Sequence, residues 1–145
     1  MSGERKTIHA SCVEINGRGI LICGGSGAGK TSLLVELLGR GGKFVADDGV
    51  LISRKADSLR AQPTVGNKGL IGTSPFEVAD FAETFPAADT VPATSVALCI
   101  QLETDASEDS EGILADVPRL YLERDELTSM ADVCESAVKR LISLI

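Results

Sequence analysis

A chain of 145 residues, 43% of them apolar, is long enough for one domain with a real core, which argues against overall disorder and against a two-domain enzyme. Its 14 basic and 21 acidic residues give a net charge of −7, and its aromatics are four Phe and one Tyr with no Trp, so neither electrostatic nor stacking recognition of nucleic acid is expected. No apolar run reaches transmembrane length and the opening Met1-Ser-Gly-Glu-Arg-Lys is too polar for a secretion signal, so no membrane partner is expected.

Thr7–Ile15 and Gly19–Cys23 are apolar segments joined by Asn16-Gly17-Arg18. Asn-Gly between two such runs predicts a hairpin, because both turn residues take positive φ. Thr31–Leu38 follows a Gly-rich stretch and reads as a helix buried on much of its circumference, closed by Gly39 and Gly41-Gly42. Lys43–Ala46 and Gly49–Ser53 read as a pair of short strands around Asp47-Asp48-Gly49, and Ser58–Pro63 as a further strand. From Thr64 to Pro92 glycines and prolines punctuate the pattern, leaving a short helix near Phe76–Glu83. Thr94–Leu102 is a buried strand, Glu103–Glu111 an acidic solvated loop, and Arg119–Glu123 a half-buried strand. Leu127, Met130, Cys134, Ala137, Leu141 and Ile145 then recur at helical spacing, with Asp125 as N-cap. The fold class is α/β, a single domain over 1–145 with antiparallel strands in a mixed sheet.

Cys12, Cys23, Cys99 and Cys134 contain no C-x-x-C pair, which supports neither zinc binding nor a disulfide scaffold. A reducing cytoplasm is the expected compartment. Residues 1–70 carry ten basic and six acidic side chains; residues 71–145 carry four and fifteen. The first half therefore suits a phosphorylated ligand.

Gly24-Gly25-Ser26-Gly27-Ala28-Gly29-Lys30-Thr31 matches G-x-x-x-x-G-K-[ST] throughout. Glycines let the backbone wrap an anion with several N–H groups pointing inward. Lys30 supplies a cation for the β- and γ-phosphates, and the Thr31 hydroxyl suits a magnesium shell. The strand before and the helix after are the context this loop requires, and the helix directs its positive end at the same phosphates.

If Lys43–Ala46 is a parallel neighbour reached by crossover through the loop helix, Asp47 and Asp48 emerge at the sheet edge that holds the loop. One carboxylate there can organise magnesium, and the other can accept a proton from an attacking hydroxyl. Asp48-Gly49 equally fits a hairpin turn. His9 lies on the strand paired with the one entering the loop, within approach of the phosphates or an Asp.

Taken together these residues resemble the catalytic domain of the HPr kinase/phosphorylase family. The resemblance rests on His9-Ala-Ser-Cys-Val-Glu-Ile15, Gly17-Arg-Gly19, the loop at 24–31, Arg40-Gly41 and Val45-Ala-Asp-Asp48, and runs from about Ile8 to Arg54. The chain looks like a short form without the extra N-terminal domain of the long members. The resemblance implies a fold similar to the nucleotide core of phosphoenolpyruvate carboxykinase. It also implies transfer of the γ-phosphoryl of ATP to a serine of HPr, the phosphocarrier protein, with a reverse reaction using inorganic phosphate. By the same resemblance Lys30 holds the phosphates and Thr31 binds magnesium. Asp48 is then proton acceptor and, in reverse, donor, with His9 as companion and Asp47 in support at the metal. Family members form hexamers.

A second family motif, resembling L-I-E-[VI]-R-G-L-G-I, keeps its opening in Gly69-Leu-Ile71, but Gly72 stands where a magnesium-binding Glu would be. Glu77 and Asp80 are its candidate substitutes, and Arg119 and Arg124 are candidates for a later active-site Arg. Three readings stay open: a serine kinase acting on HPr, a nucleotide-binding regulatory module derived from one, and a kinase with another acceptor.

Overall fold

The computed structural model describes residues 5–24, 30–47, 49–56, 58–64, 70–74, 77–80, 89–102, 113–114 and 117–122. The chain begins with two strands where one was expected. β1 (Arg5–Ile8) and β2 (Ala10–Ile15) are separated by a bend at His9, so His9 lies between strands rather than on one. β2 pairs antiparallel with β3 (Arg18–Cys23), and Asn16 (φ 52°) and Gly17 (φ 77°) make the two-residue turn that Asn-Gly predicts.

Helix α1 (Lys30–Gly39) buries Leu33, Leu34, Leu37 and Leu38 against the fold and exposes Val35 and Glu36. Its end is set by Gly41, at φ 100°. The Gly41 N–H donates to the Leu38 carbonyl (3.2 Å) and the Gly42 N–H to the Leu37 carbonyl (3.0 Å), which satisfies two of the helix's last acceptors and turns the chain toward the sheet. β4 (Lys43–Ala46), β5 (Val50–Lys55), β6 (Ser58–Pro63), β7 (Leu70–Ser74), β8 (Glu77–Asp80), β9 (Thr94–Leu102) and β10 (Arg119–Leu122) follow.

β7 and β8 form an antiparallel hairpin of their own. The short helix expected near Phe76–Glu83 is therefore a strand where it is described. A helix of one or two turns is costly to nucleate, whereas pairing with β7 satisfies the backbone of β8 at once. The acidic stretch 103–111 and the helix expected from Leu127 to Ile145 lie outside the described residues.

Among the described residues the main sheet has the order β1-β5-β6-β9-β3-β2-β4, with β10 parallel to β9. β3 and β9 are parallel and central, and Ile20, Leu21, Ile22, Leu98, Cys99 and Ile100 are all buried. Burial on both faces explains why these strands read as continuous apolar runs. β4 runs in the same direction as β3 but is not its neighbour, because β2 lies between them and pairs antiparallel with both. Nor do β4 and β5 pair with each other: β5 sits between β1 and β6. Asp47 and Gly49 thus lie between strands that do not pair with each other, not in a hairpin.

α1 packs on β2 and β3. On the opposite face Ala10, Cys12, Leu21, Cys23 and Cys99 share a core with Ile8, Val50, Ile52, Leu59 and Ala61 of the β1-β5-β6 ladder. At the start of β3 a Cβ on Gly19 would lie 2.5 Å from Thr94 Cγ2 and 2.6 Å from the Ser95 carbonyl oxygen. Only a residue without Cβ lets β3 and β9 approach so closely there.

Candidate functional site at the carboxyl edge of the sheet

Strand direction and register bring several ends to one edge. β3 ends at Cys23, opposite Ala10 at the start of β2 on one side and Gln101 near the end of β9 on the other. β4 ends at Ala46, opposite Cys12. Gly24, His9, Asp47 and the ends of β9 and β10 therefore share this edge, which is also where α1 begins.

Lys30 is the first residue of α1 and is buried, at 7% exposure. Its Nζ donates to the Gly24 carbonyl at 2.8 Å, tying the beginning of the predicted phosphate loop to its end. Gly25, Ser26, Gly27, Ala28 and Gly29 lie outside the described residues, and Thr31 is described as helix backbone only. His9 is exposed and immediately precedes Ala10, the partner of Cys23.

Asp47 is buried, and its Oδ1 accepts a hydrogen bond from the Ser11 hydroxyl at 2.5 Å. Along β2 the side chains alternate, so Ser11 and Val13 lie on the face opposite Cys12. A Cβ on Gly42 would meet both Val13 Cγ2 (2.8 Å) and the Leu37 carbonyl oxygen of α1 (2.9 Å), so Val13 lies on the α1 face of the sheet, and Ser11 and the Asp47 carboxylate with it. Asp48 lies outside the described residues.

On the other side of β3, Arg119 Nη1 donates to the side-chain oxygen of buried Gln101 at 2.7 Å, while its buried Nη2 has no hydrogen-bond partner among the described residues. Gln101 faces Cys23, so this guanidinium approaches the same edge from β10. Arg124 lies outside the described residues, and of Glu77 and Asp80 only the backbone of β8 is described.

The three described thiols, of Cys12, Cys23 and Cys99, are core material. Cys23 Sγ and Cys99 Sγ are 3.2 Å apart and both residues are buried. Burial, then the charge of Glu14, then Cys23 push the Cys12 thiol well above its ordinary range, which suits packing and opposes nucleophilic use. No group of three or more His, Cys, Asp or Glu among the described residues is arranged to hold a metal ion unaided. The Asp47 carboxylate is an oxygen donor of the kind that can join phosphate oxygens around magnesium. A buried ammonium at a helix N-terminus fits the phosphates themselves. No helix among the described residues is long and apolar enough to cross a membrane.

The HPr Serine kinase C-terminal domain family matches residues 2–141 of this chain. The chain belongs to that family. Its similarity to the HPr kinase/phosphorylase of Lactococcus lactis subsp. lactis is 32% identity over 118 residues, covering 81% of this chain and 38% of that protein. Against the HPr kinase/phosphorylase of Lactobacillus johnsonii it is 47% identical over 53 residues, 37% of this chain and 17% of that one. The HPr kinase-like chain thus spans well under half the length of these curated relatives. Its fold matches the solved Hpr(Ser) kinase/phosphatase from Coxiella burnetii with a TM-score of 0.76 at 23% identity, covering 93% of this chain and 89% of the other. That correspondence bears out the mixed-sheet α/β fold of an HPr kinase domain. One residue of the site escaped sequence reading. Ser11 sits in an apolar strand and its partner is 36 positions away, so the only signal was a hydroxyl at a position that should be buried.

Proposed function

We propose that this chain is an ATP-dependent serine protein kinase, with the reverse phosphorylase reaction, acting on the phosphocarrier protein HPr by direct in-line transfer. The observation that carries this reading is the meeting of Gly24, Lys30, His9 and Asp47 at one sheet edge, in a chain of the HPr kinase family. Lys30 and the loop 24–29 hold the β- and γ-phosphates, with the N-terminus of α1 directed at them. Thr31 and Asp47 supply oxygens to magnesium, which when bound offsets negative charge on the phosphate oxygens. Asp48 takes the proton of the acceptor serine as its oxygen bonds to the γ-phosphorus and the bond to the ADP oxygen breaks. In reverse, Asp48 returns the proton to serine while inorganic phosphate takes the phosphoryl group and leaves as pyrophosphate. His9 stands beside the reacting groups. A homo-oligomer, a hexamer as in the family, and a cytoplasmic location belong to the same reading.

Gly72 favours a second reading, a nucleotide-binding regulatory module derived from the kinase, because a glycine offers no carboxylate at that strand position. One experiment separates them. The protein is mixed with magnesium-ATP and the HPr of its own organism, and intact masses are recorded, with Lys30→Ala as control. One phosphoryl group gained by HPr, and none with Lys30→Ala, is the expected result. No gain, together with saturable ATP binding lost in Lys30→Ala, supports the second reading instead.

A further inference from the structure

Ser11 is fully buried in β2, between Ala10 and Cys12, which are also fully buried. A hydroxyl there loses its water and must find a protein partner. Its partner is one specific oxygen of a carboxylate that is itself at 2% exposure. A hydrogen bond from a hydroxyl to a carboxylate is of the strong, charge-assisted kind, and it restricts rotation of the carboxylate plane about the side chain's last torsion. The contact exists only because β2 is inserted between β3 and β4, so that the strand beside the end of β4 carries Ser11 on the α1 face, where the Lys30 end of the helix also lies.

We propose that Ser11 is a positioning residue that fixes the Asp47 carboxylate as a divalent-cation donor and thereby sets the affinity of the site for magnesium in the nucleotide complex. The inference rests on the reading of Asp47 as a metal ligand. Groups that orient metal ligands through one hydrogen bond typically change metal affinity by roughly 10–100-fold when removed. A hydroxyl that merely satisfied a buried carboxylate would change stability and leave cation affinity alone.

The test uses the whole chain with a non-hydrolysable ATP analogue and manganese(II) as the paramagnetic stand-in for magnesium, free manganese being read by its spin-resonance signal. Nucleotide affinity without metal is measured in parallel. Ser11→Ala removes the hydroxyl. Ser11→Cys keeps nearly the same volume with only a weak S–H donor, and remains informative where Ser11→Ala fails to fold. Both are expected to weaken manganese binding roughly 10–100-fold with metal-free nucleotide affinity unchanged, and Ser11→Thr, which keeps the hydroxyl, to restore it to within a few-fold. A folded Ser11→Ala or Ser11→Cys protein with wild-type manganese affinity, alongside a loss in Asp47→Asn, overturns the role of Ser11 and leaves Asp47 in place. Wild-type manganese affinity in Asp47→Asn overturns the reading of Asp47, and the inference with it.

Discussion

Gly19→Ala places a methyl group where β3 and β9 come closest, 2.5 Å from Thr94 Cγ2 and 2.6 Å from the Ser95 carbonyl oxygen. The first contact is with a buried side chain that is not at liberty to swing away, since Thr94 Oγ1 donates to Glu14 Oε2 at 2.6 Å. The second is with backbone. Overpacking of this kind costs about 1–3 kcal/mol. Loosening the bond to the Glu14 carboxylate adds to that, since such bonds contribute about 1.5–3 kcal/mol. The expected destabilisation is about 3 kcal/mol, which for a domain of this size lowers Tm on the order of 10 °C. Urea unfolding followed by far-ultraviolet circular dichroism is the assay, because the chain has no Trp and a single Tyr. Adding Thr94→Ser removes Cγ2 while keeping the oxygen that bonds Glu14, so the double variant should recover roughly half of the loss, the contact with the Ser95 carbonyl remaining. A Gly19→Ala protein within about 0.5 kcal/mol of wild type would refute the reasoning. Full recovery by Thr94→Ser would show that the side chain alone resists the added methyl.

Gly41→Ala, at φ 100°, should cost about 1 kcal/mol by the same denaturation assay, because the residue that ends α1 must be left-handed; an unchanged midpoint would mean the helix ends without it. Cys12 gives a pH signature. Its folded value is raised above the ordinary 9.0, so its contribution is fully present below pH 9 and is lost as pH rises from there toward the folded value. Stability should fall by about 1.4 kcal/mol between pH 8 and pH 10, and Cys12→Ala should abolish that part of the slope; an identical slope in the variant contradicts the assignment. Finally, Arg119→Met with Gln101→Leu removes a buried donor that has no partner among the described residues, together with the bond between the two side chains, and should leave stability equal or higher by about 1 kcal/mol, with a drop of more than about 1 kcal/mol refuting it.

What could be read from the sequence was local. Asn16-Gly17 names its own turn, Gly41 its own helix end, and β6 and β9 their own limits, because each is decided by neighbours in the chain. The loop residues followed from spacing, and the structure places Gly24 and Lys30 together. The failures are all long-range. Thr7–Ile15 looked like one strand because its apolar pattern is continuous, yet β1 and β2 join different ladders on either side of His9. Glu77–Asp80 looked helical because a four-residue strand is only stable beside β7, a partner the sequence does not announce. The pairing of Ser11 with Asp47 depends on strand order, and no local pattern encodes strand order.

The inserted strand is also what gives the edge its chemical spacing. Neighbouring strands lie about 4.8 Å apart, so placing β2 between β3 and β4 sets the ends of the loop strand and the carboxylate strand about 10 Å apart. In the proposed complex, phosphate and magnesium would span that separation between the two strand ends. The arrangement demands that the carboxylate be held from the intervening strand. β2 does this with Ser11, whose hydroxyl reaches Asp47 at 2.5 Å while its backbone pairs with Ile22 of the loop strand. The same strand therefore sets the spacing and orients the donor, and an insertion that shifted β2 by one residue would turn Ser11 to the opposite face and leave Asp47 without this bond.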